Sequence, residues 1–76
     1  MGRIQYEVIP HGERWRVRTA GFGREYGTQL EALFAALFEA KSLWKSLHAP
    51  TAVRVQLADG TWREARAFGD DDDPAL

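Results

Sequence analysis

The sequence has 76 residues with a net charge of −1 at pH 7, 45% hydrophobic residues and no cysteine. This length accommodates one domain with a single hydrophobic core, and the lack of cysteine excludes disulfide bonds, thiolate metal ligands and a cysteine nucleophile. No apolar stretch approaches the roughly 20 residues of a membrane-spanning helix and the N-terminus lacks the apolar core of a signal peptide, so we expect a soluble, cytoplasmic protein without a membrane partner.

The charges are unevenly distributed along the chain. Four of the eleven acidic residues form the run Asp70–Asp73, so residues 1–69 hold the ten basic residues, eight of them arginine, against seven acids. We expect a single α+β domain over residues 1–69 and a disordered acidic tail over residues 70–76. The small arginine excess of the domain favours contacts with anions or nucleic acid, although it is far below that of a dedicated nucleic-acid binder.

Two stretches near the N-terminus alternate apolar and polar residues with the two-residue period of half-buried strands. They run over Arg3–Ile9 and Arg14–Thr19, and the four residues Pro10–Glu13 between them have the composition of a turn. A turn of this length predicts four pairs of cross-strand neighbours: Val8 with Trp15, Tyr6 with Val17, Glu7 with Arg16, and Gln5 with Arg18. A short third strand is predicted around Arg24–Tyr26, after the glycine-containing turn that begins at Ala20.

A helix is predicted over Thr28–Leu47. Thr28 and Glu31 have the spacing of a capping box, and Pro50 ends the helix because proline lacks an N–H and disfavours helical geometry in the residue before it. Apolar residues at steps of three and four predict the face that packs on the sheet: Leu30, Leu33, Phe34, Leu37, Ala40, Trp44 and Leu47, widened by Phe38 and Leu43. The polar residues left for solvent are Glu31, Glu39, Lys41, Ser42 and Lys45.

A second hairpin follows the helix. Thr51–Leu57 alternates as a strand, Asp59-Gly60 is a strong hairpin signal, and a fifth strand is predicted from Thr61 to about Phe68. The element order is therefore β-β-β-α-β-β. It predicts an α+β fold with a single antiparallel sheet of four to five strands and one helix packed on one face.

The register of the second hairpin has two alternatives. A two-residue turn would direct three residues towards the core: Trp62, Glu64 and Arg66. A three-residue loop with Gly60 as a bulge would place Trp62 on the solvent side, beside Arg54 or Gln56, with Ala65 and Ala67 inside. We favour the bulged form because it avoids burying unpaired charge.

The sequence shows no pattern typical of a catalytic or metal site. The two histidines, His11 and His48, have no orienting partner or pocket that the sequence identifies, and their spacing is not that of metal ligands. The glycines between Gly21 and Gly27 lack the lysine of a phosphate-binding loop. We therefore predict that the protein is not an enzyme and has no cofactor, metal or small-molecule substrate.

Strand alternation does predict one candidate surface, on the side of the sheet away from the helix. Its residues are Gln5, Arg14, Arg16, Arg18, Arg54 and Gln56, joined by Trp62 in the bulged register. Arginine reads guanine edges and clamps phosphates, and tryptophan beside arginine is also typical of protein interfaces. This set is a candidate surface for nucleic acid or another partner, and alternating charge is equally typical of an ordinary solvated sheet face.

Short motifs over nearly the whole chain resemble a group of short bacterial domains of unknown function. The motifs here are Tyr6-x-Val8, Trp15-x-Val17, Thr28-x-x-Glu31-Ala32, Ala36, Val53-x-Val55, Asp59-Gly60 and Phe68-Gly69. Members of that group typically read Y-x-V, W-x-V, T-x-x-E-A, A, V-x-V, D-G and Y-G in the same order. The resemblance implies the fold and carries no activity or site residues.

Residues 6–40 also look like the three-strand-plus-helix module of plant ethylene-response-factor DNA-binding domains and of the arm-binding domains of phage-type integrases. These modules share a W-x-V/A-x-I/V-R strand, a glycine before the helix and a T-x-x-E-A-x-x-A helix start. They lay their sheet on DNA, which would assign contacts to Arg14, Arg16 and Arg18 here. They are also much more basic in the first two strands and lack the second hairpin.

Two functional hypotheses follow. The first is a small non-enzymatic protein-interaction module that self-associates, as a homodimer or higher homo-oligomer, or binds another protein. It predicts a dimer in solution and no salt-dependent retention on nucleic acid. The alternative is a weak DNA- or RNA-binding domain that uses the arginine-rich face, with an affinity that falls steeply with salt.

Overall fold

The computed structural model describes residues 3–69, and the predicted acidic tail at residues 70–76 lies outside them. Within residues 3–69 the chain forms one five-stranded sheet and one helix, an α+β fold with the predicted element order. The elements are β1 (Ile4–His11), β2 (Arg14–Thr19), β3 (Phe22–Tyr26), α1 (Gln29–Leu47), β4 (Thr51–Gln56) and β5 (Trp62–Phe68).

The sequence predicted a wholly antiparallel sheet, but the sheet is mixed. Its strand order is β3-β2-β1-β4-β5, and the central pair β1–β4 is parallel, with Tyr6 opposite Val53. The three other strand pairs are antiparallel. The reason is that α1 carries the chain from β3, at one edge, back across the sheet to β4, so that β4 runs in the direction of β3 and β1. A parallel neighbour requires a long crossover of this kind.

The first hairpin is tighter than predicted. Val8 pairs with Val17, Pro10 with Trp15 and His11 with Arg14, which leaves a two-residue turn instead of four residues. Pro10 is tolerated inside β1 because the pairing of β1 with β4 ends at Val8, so its missing N–H interrupts no ladder there. The register differs from the predicted one by two residues, and because side chains alternate with a period of two, every residue keeps its predicted face.

The helix packs on the sheet through alanines. Ala32, Ala36 and Ala40 are its fully buried residues, against Tyr6 and Val8 of β1 and other core residues. The rest of the buried core consists of Val17, Val53 and Val55. Leu33, Leu37 and Leu43 pack at the edge of this core. The hydroxyl of Thr51 donates a 2.9 Å hydrogen bond to the carbonyl of Ala40, which connects the helix to the first residue of β4.

The prediction of the buried face of α1 is therefore wrong: the face that packs on the sheet is rotated by about a quarter turn about the helix axis from the predicted one. Leu30, Phe34, Phe38 and Leu47 are exposed. Alanine lets the helix backbone approach the branched side chains of the sheet closely, and a phenylalanine at the same position would not fit between them. The bulky residues consequently lie at the flanks and on the outer side of the helix.

Both ends of α1 follow the sequence prediction. The Thr28 side chain accepts a 3.1 Å hydrogen bond from the Glu31 amide, which caps the first turn. At the other end His48 has left-handed backbone geometry, and its N–H donates to the Trp44 carbonyl at 2.9 Å. The chain then reaches Pro50 and enters β4.

Glu39 was predicted to face solvent, and the structure contradicts this. It is half-buried and lies near the phenol of Tyr6. Burial of the phenol, then the negative charge of the Glu39 carboxylate, raise the pKa of Tyr6 above its ordinary value. Glu39 is thus a polar neighbour of the one polar side-chain atom that Tyr6 brings into the core.

The second hairpin has the favoured three-residue loop. The Gly60 amide donates to the Leu57 carbonyl at 2.9 Å, the Leu57 amide donates to the Thr61 carbonyl at 2.8 Å, and Gly60 has a φ of 90°. Glycine adopts such a φ without strain. A glycine with positive φ at the end of a three-residue loop is typical of a bulged hairpin. Trp62 therefore pairs with Gln56 and lies on the side away from the helix, as predicted.

The prediction that Ala65 and Ala67 point inside is wrong. A second irregularity lies opposite Val53 and Arg54, so that Ala65 has no partner in the ladder and Ala67 pairs with Ala52. Both alanines lie outside the core. The extra residue reverses the face of the residues after it, and Phe68 thereby reaches the helix side and packs against the core.

Candidate partner interface

The candidate residues named from the sequence lie together on the side of the sheet opposite α1, which we call the outer face. They are Gln5, Arg14, Arg16, Arg18, Arg54, Gln56 and Trp62, on four of the five strands. They share this face because Val8, Val17 and Val53, which alternate with them, point to the helix. Their common placement follows from the two-residue alternation of side chains along each strand.

Glu7 lies at the centre of the outer face and binds two of the arginines. Arg18 Nη2 is 2.6 Å from Glu7 Oε1, and Arg54 Nη2 is 2.6 Å from Glu7 Oε2. The Nε atoms of Arg18 and Arg54 add hydrogen bonds of 3.0 and 3.2 Å to the same oxygens. The Glu7 side chain is only 16% exposed. Its predicted neighbour, Arg16, is replaced by Arg18 because of the shorter turn.

These contacts change the acidity of Glu7. Hydrogen bonds from Arg54 and then from Arg18 hold the pKa of its carboxyl below the ordinary 4.5, against the opposing effect of partial burial. Glu7 is therefore a stable anion, and charge-assisted bonds to two guanidinium groups are among the stronger polar contacts in proteins.

Glu25 on β3 has the same role for the other part of the outer face. His11 Nδ1 lies 2.8 Å from its Oε2, Arg14 Nε lies 3.5 Å from its Oε1, and Arg16 Nη2 lies 3.7 Å from its Oε2. Glu25 was not among the residues predicted for this surface. Glu25 pairs directly with Arg16, and the glycine-containing sequence of β3 gives no clear alternation that would have indicated this.

Arg16 is held in a narrow space. A Cβ atom on Gly23 would lie 3.4 Å from Arg16 Nε. The Arg16 side chain therefore lies over β3 at Gly23, the position where that strand carries no side chain. Among the described residues the buried Nε of Arg16 has no hydrogen-bond partner. The Arg16 side chain is 39% exposed, and its guanidinium end lies beside Gly23 and Glu25 of β3.

Trp62 covers Arg54. The guanidinium carbon of Arg54 lies 4.3 Å from the centre of the Trp62 ring, a distance typical of a cation–π contact. The indole is 39% exposed and borders a shallow depression that also includes Gln5, Ala52 and Glu64. Arg54 thus has Glu7 on one side and Trp62 on the other.

The four arginines of the outer face are therefore not free cations. Arg18 and Arg54 contact Glu7, and Arg14 and Arg16 contact Glu25. A phosphate that approached this face would have to compete with those two carboxylates. The arrangement stabilises the sheet and weakens the positive potential that the sequence indicates.

A second candidate surface, which sequence reasoning assigned to the core, lies on α1. Leu30, Phe34 and Phe38 are 59%, 62% and 74% exposed, and their spacing of four residues places them along one side of the helix. We call these three residues the helix stripe. The available signal was the repeat Ala32, Ala36, Ala40 at the same spacing, which offers an alternative face for packing on the sheet.

The two histidines belong to structural contacts. His11 is 55% exposed and contacts Glu25 on the outer face. His48 ends α1, and its ring centre lies 5.2 Å from that of Trp44. In the part of the chain that the structure describes, no group of three or more histidine, cysteine or acidic residues is arranged to hold a metal ion.

Residues 3–69 contain no helix that combines the length and the apolar character of a membrane span. Comparisons with protein-family models, curated proteins and solved structures found no match. The two resemblances described from the sequence therefore stay predictions, and the function has to be argued from the surfaces themselves.

Proposed function

We propose that the protein is a non-enzymatic interaction module that self-associates through the outward side of α1. The observation that supports this most directly is the exposure of the helix stripe. Monomeric domains rarely expose contiguous large apolar side chains, and such patches mark protein contacts. Full burial of a phenylalanine or leucine side chain contributes about 1.5–3 kcal/mol, so covering the helix stripe with a partner would favour association.

The size of the domain supports the same proposal. A two-layer domain of one helix and one sheet covers only one side of each layer. In this chain the uncovered side of the sheet carries charged residues in ion pairs, whereas the uncovered side of the helix carries phenylalanines. The helix side is consequently the one that gains most from a partner.

Sizing by light scattering tests this proposal. We expect the wild-type chain to be a dimer and Phe38→Ser to be a monomer with an unchanged helix signal in circular dichroism, because Phe38 is exposed and contributes little to the core. Phe22→Ser, on β3 and also exposed, is the matched control and keeps the dimer. A wild-type chain that remains monomeric at several hundred micromolar contradicts the proposal.

A weak DNA- or RNA-binding domain is the second candidate. It is supported by the four arginines and Trp62 on one face, since arginine with an exposed aromatic ring suits phosphates and unstacked bases. It ranks second because Glu7 and Glu25 already hold those arginines. An apolar partner that binds the outward side of α1 would not have to displace ion pairs of this kind.

A mobility shift with mixed DNA and RNA at low salt tests this second candidate. Binding through the outer face requires an affinity that falls steeply with salt and that is lost in the double variant Arg16→Glu with Arg18→Glu. Arg63→Glu with Arg66→Glu, two exposed residues of β5 outside the candidate surface, is the matched control for net charge. No shift at low salt removes this candidate.

A further inference from the structure

The exposed residues along the outward side of α1 follow the spacing of a helix-packing seam. Their steps of three and four residues repeat in alternation, as in the core positions of a coiled coil. The seam consists of Glu31, Phe34, Phe38, Lys41 and Lys45, all exposed. Leu30 lies beside it in the first turn. This is the side of α1 that faces away from Ala32, Ala36 and Ala40.

The charges on this seam are divided between its two ends. The acid, Glu31, lies before the phenylalanine pair, and the bases, Lys41 and Lys45, lie after it. Glu31 and Lys41 are equally distant from the midpoint between Phe34 and Phe38, about 7.5 Å along the helix axis on either side. The seam is therefore acidic, then apolar, then basic, with the apolar part in the middle.

Such a seam is complementary to a second copy of itself when the two helices run antiparallel. A two-fold axis at the midpoint brings Phe34 of one copy against Phe38 of the other, and Glu31 against Lys41 of the other copy, with both pairs formed twice. Parallel helices would instead place Glu31 beside Glu31 and lysine beside lysine, which is unfavourable. Antiparallel helix dipoles favour the same orientation.

We infer that the protein forms a two-fold dimer in which two α1 helices pack antiparallel, with Phe34 and Phe38 at the centre and Glu31 of each copy beside Lys41 of the other. This inference rests on the proposed self-association and adds the surface and the orientation of the partner. In the dimer the two helices form the middle layers and the two sheets lie outside them, with the outer faces directed away from the contact.

Charge reversal tests the pairing. Glu31→Lys makes the seam wholly basic, and Lys41→Glu with Lys45→Glu makes it wholly acidic, so we expect each of these variants to be monomeric at concentrations where the wild type is dimeric. An equimolar mixture of the two restores a dimer, and so does the triple reversal of all three residues in one chain. The double variant Lys41→Glu with Lys45→Glu leaves the first turn of α1 and its Thr28 cap unchanged, so its result does not depend on the effect of Glu31→Lys on the start of the helix.

Disulfide cross-linking tests the orientation, since the chain contains no native cysteine. Glu31→Cys and Lys41→Cys chains are oxidised with copper phenanthroline, separately and mixed. The antiparallel dimer gives a cross-link between the two variants in the mixture, and neither variant cross-links with itself. Each mixed dimer keeps one intact Glu31–Lys41 pair. Glu13→Cys, in the exposed turn between β1 and β2, is the control and remains uncross-linked.

The outcomes separate this inference from the proposed function. A self-cross-link of Glu31→Cys shows parallel helices, and a wild-type dimer that gives no cross-link in the mixture shows a contact elsewhere. Either result overturns the antiparallel arrangement while self-association stands. A wild-type chain that stays monomeric in the sizing experiment overturns both.

Discussion

Glu7 on β1 has an arginine directly beside it on each neighbouring strand, Arg18 on β2 and Arg54 on β4. Each carboxylate oxygen accepts two hydrogen bonds from one guanidinium group. One side chain thus connects the local hairpin to the distant strand β4. This connection matters because β1–β4 is the pairing that no short turn supports.

Glu7→Gln tests the strength of this connection. The variant keeps the shape of the side chain but loses its charge, and we expect the free energy of unfolding at pH 7 to fall by about 1 kcal/mol, because the two arginines remain half-exposed and screened by solvent. Chemical unfolding with urea measures it. Glu13→Gln, in the exposed turn, is the control and changes stability by less than about 0.5 kcal/mol.

The lowered pKa of Glu7 also sets a pH dependence. Since the folded-state pKa lies below the ordinary 4.5, the stability that Glu7 contributes is present above about pH 4.5 and is lost as the pH falls through the folded-state pKa. We expect the difference between wild type and Glu7→Gln to shrink from pH 7 to pH 3. A constant difference over this range would contradict the assignment of the shift to the two arginines.

The residues of the outer face were predictable for a simple reason. Alternation along β1, β2 and β4 assigns a face without knowledge of the register, so the arginines were placed correctly although the first turn was predicted two residues too long. Glu25 required the pairing of β3, whose glycines give no clear alternation. The ion pairs that hold Arg14 and Arg16 were for that reason missed.

At the scale of elements, the extent of α1 was predictable and its rotation was not. Thr28 and Pro50 mark the ends by local chemistry. The buried side depends on how closely the helix approaches the sheet, and a pattern based on hydrophobicity gives Phe34 and Phe38 more weight than Ala36. Close approach reverses that order because only small side chains fit at the contact.

Ala36→Leu tests the corrected rotation of α1. Ala36 is 1% exposed, so the larger side chain forces the helix away from the sheet, and overpacking of this kind costs about 1–3 kcal/mol. Ser42→Leu adds similar bulk at an exposed position and is expected to be close to neutral. Thermal and urea unfolding of both variants provides the measurement, and equal stability of the two would show that Ala36 does not face the sheet.

At the scale of the whole molecule, the element order was predictable and the parallel central pair was not. Turn signals mark hairpins between neighbouring strands, and they correctly indicated β1–β2 and β4–β5. No sequence signal marks which strand a crossover helix reaches. The pairing of β1 with β4, the strand that follows the helix, is therefore known only from the structure.

Self-association has a thermodynamic signature that involves the whole chain. Because only folded chains dimerise, mass action makes the thermal midpoint depend on concentration. For a domain of this size we expect a rise of about 5–10 °C for a hundredfold increase in protein concentration. The double variant Phe34→Ser with Phe38→Ser is expected to show a midpoint that does not change with concentration. Calorimetry at the two ends of that range measures both.

The placement of β4 beside β1 has a consequence during synthesis on the ribosome. Ile4 faces Thr51 in the finished sheet, so β1 emerges long before its second neighbour has been made. At roughly 5–20 residues per second, the delay between β1 and β4 lasts about 2–9 s. For that interval the nascent chain presents the open edge of β1, where Tyr6 and Val8 lack the strand that lies beside them in the finished sheet.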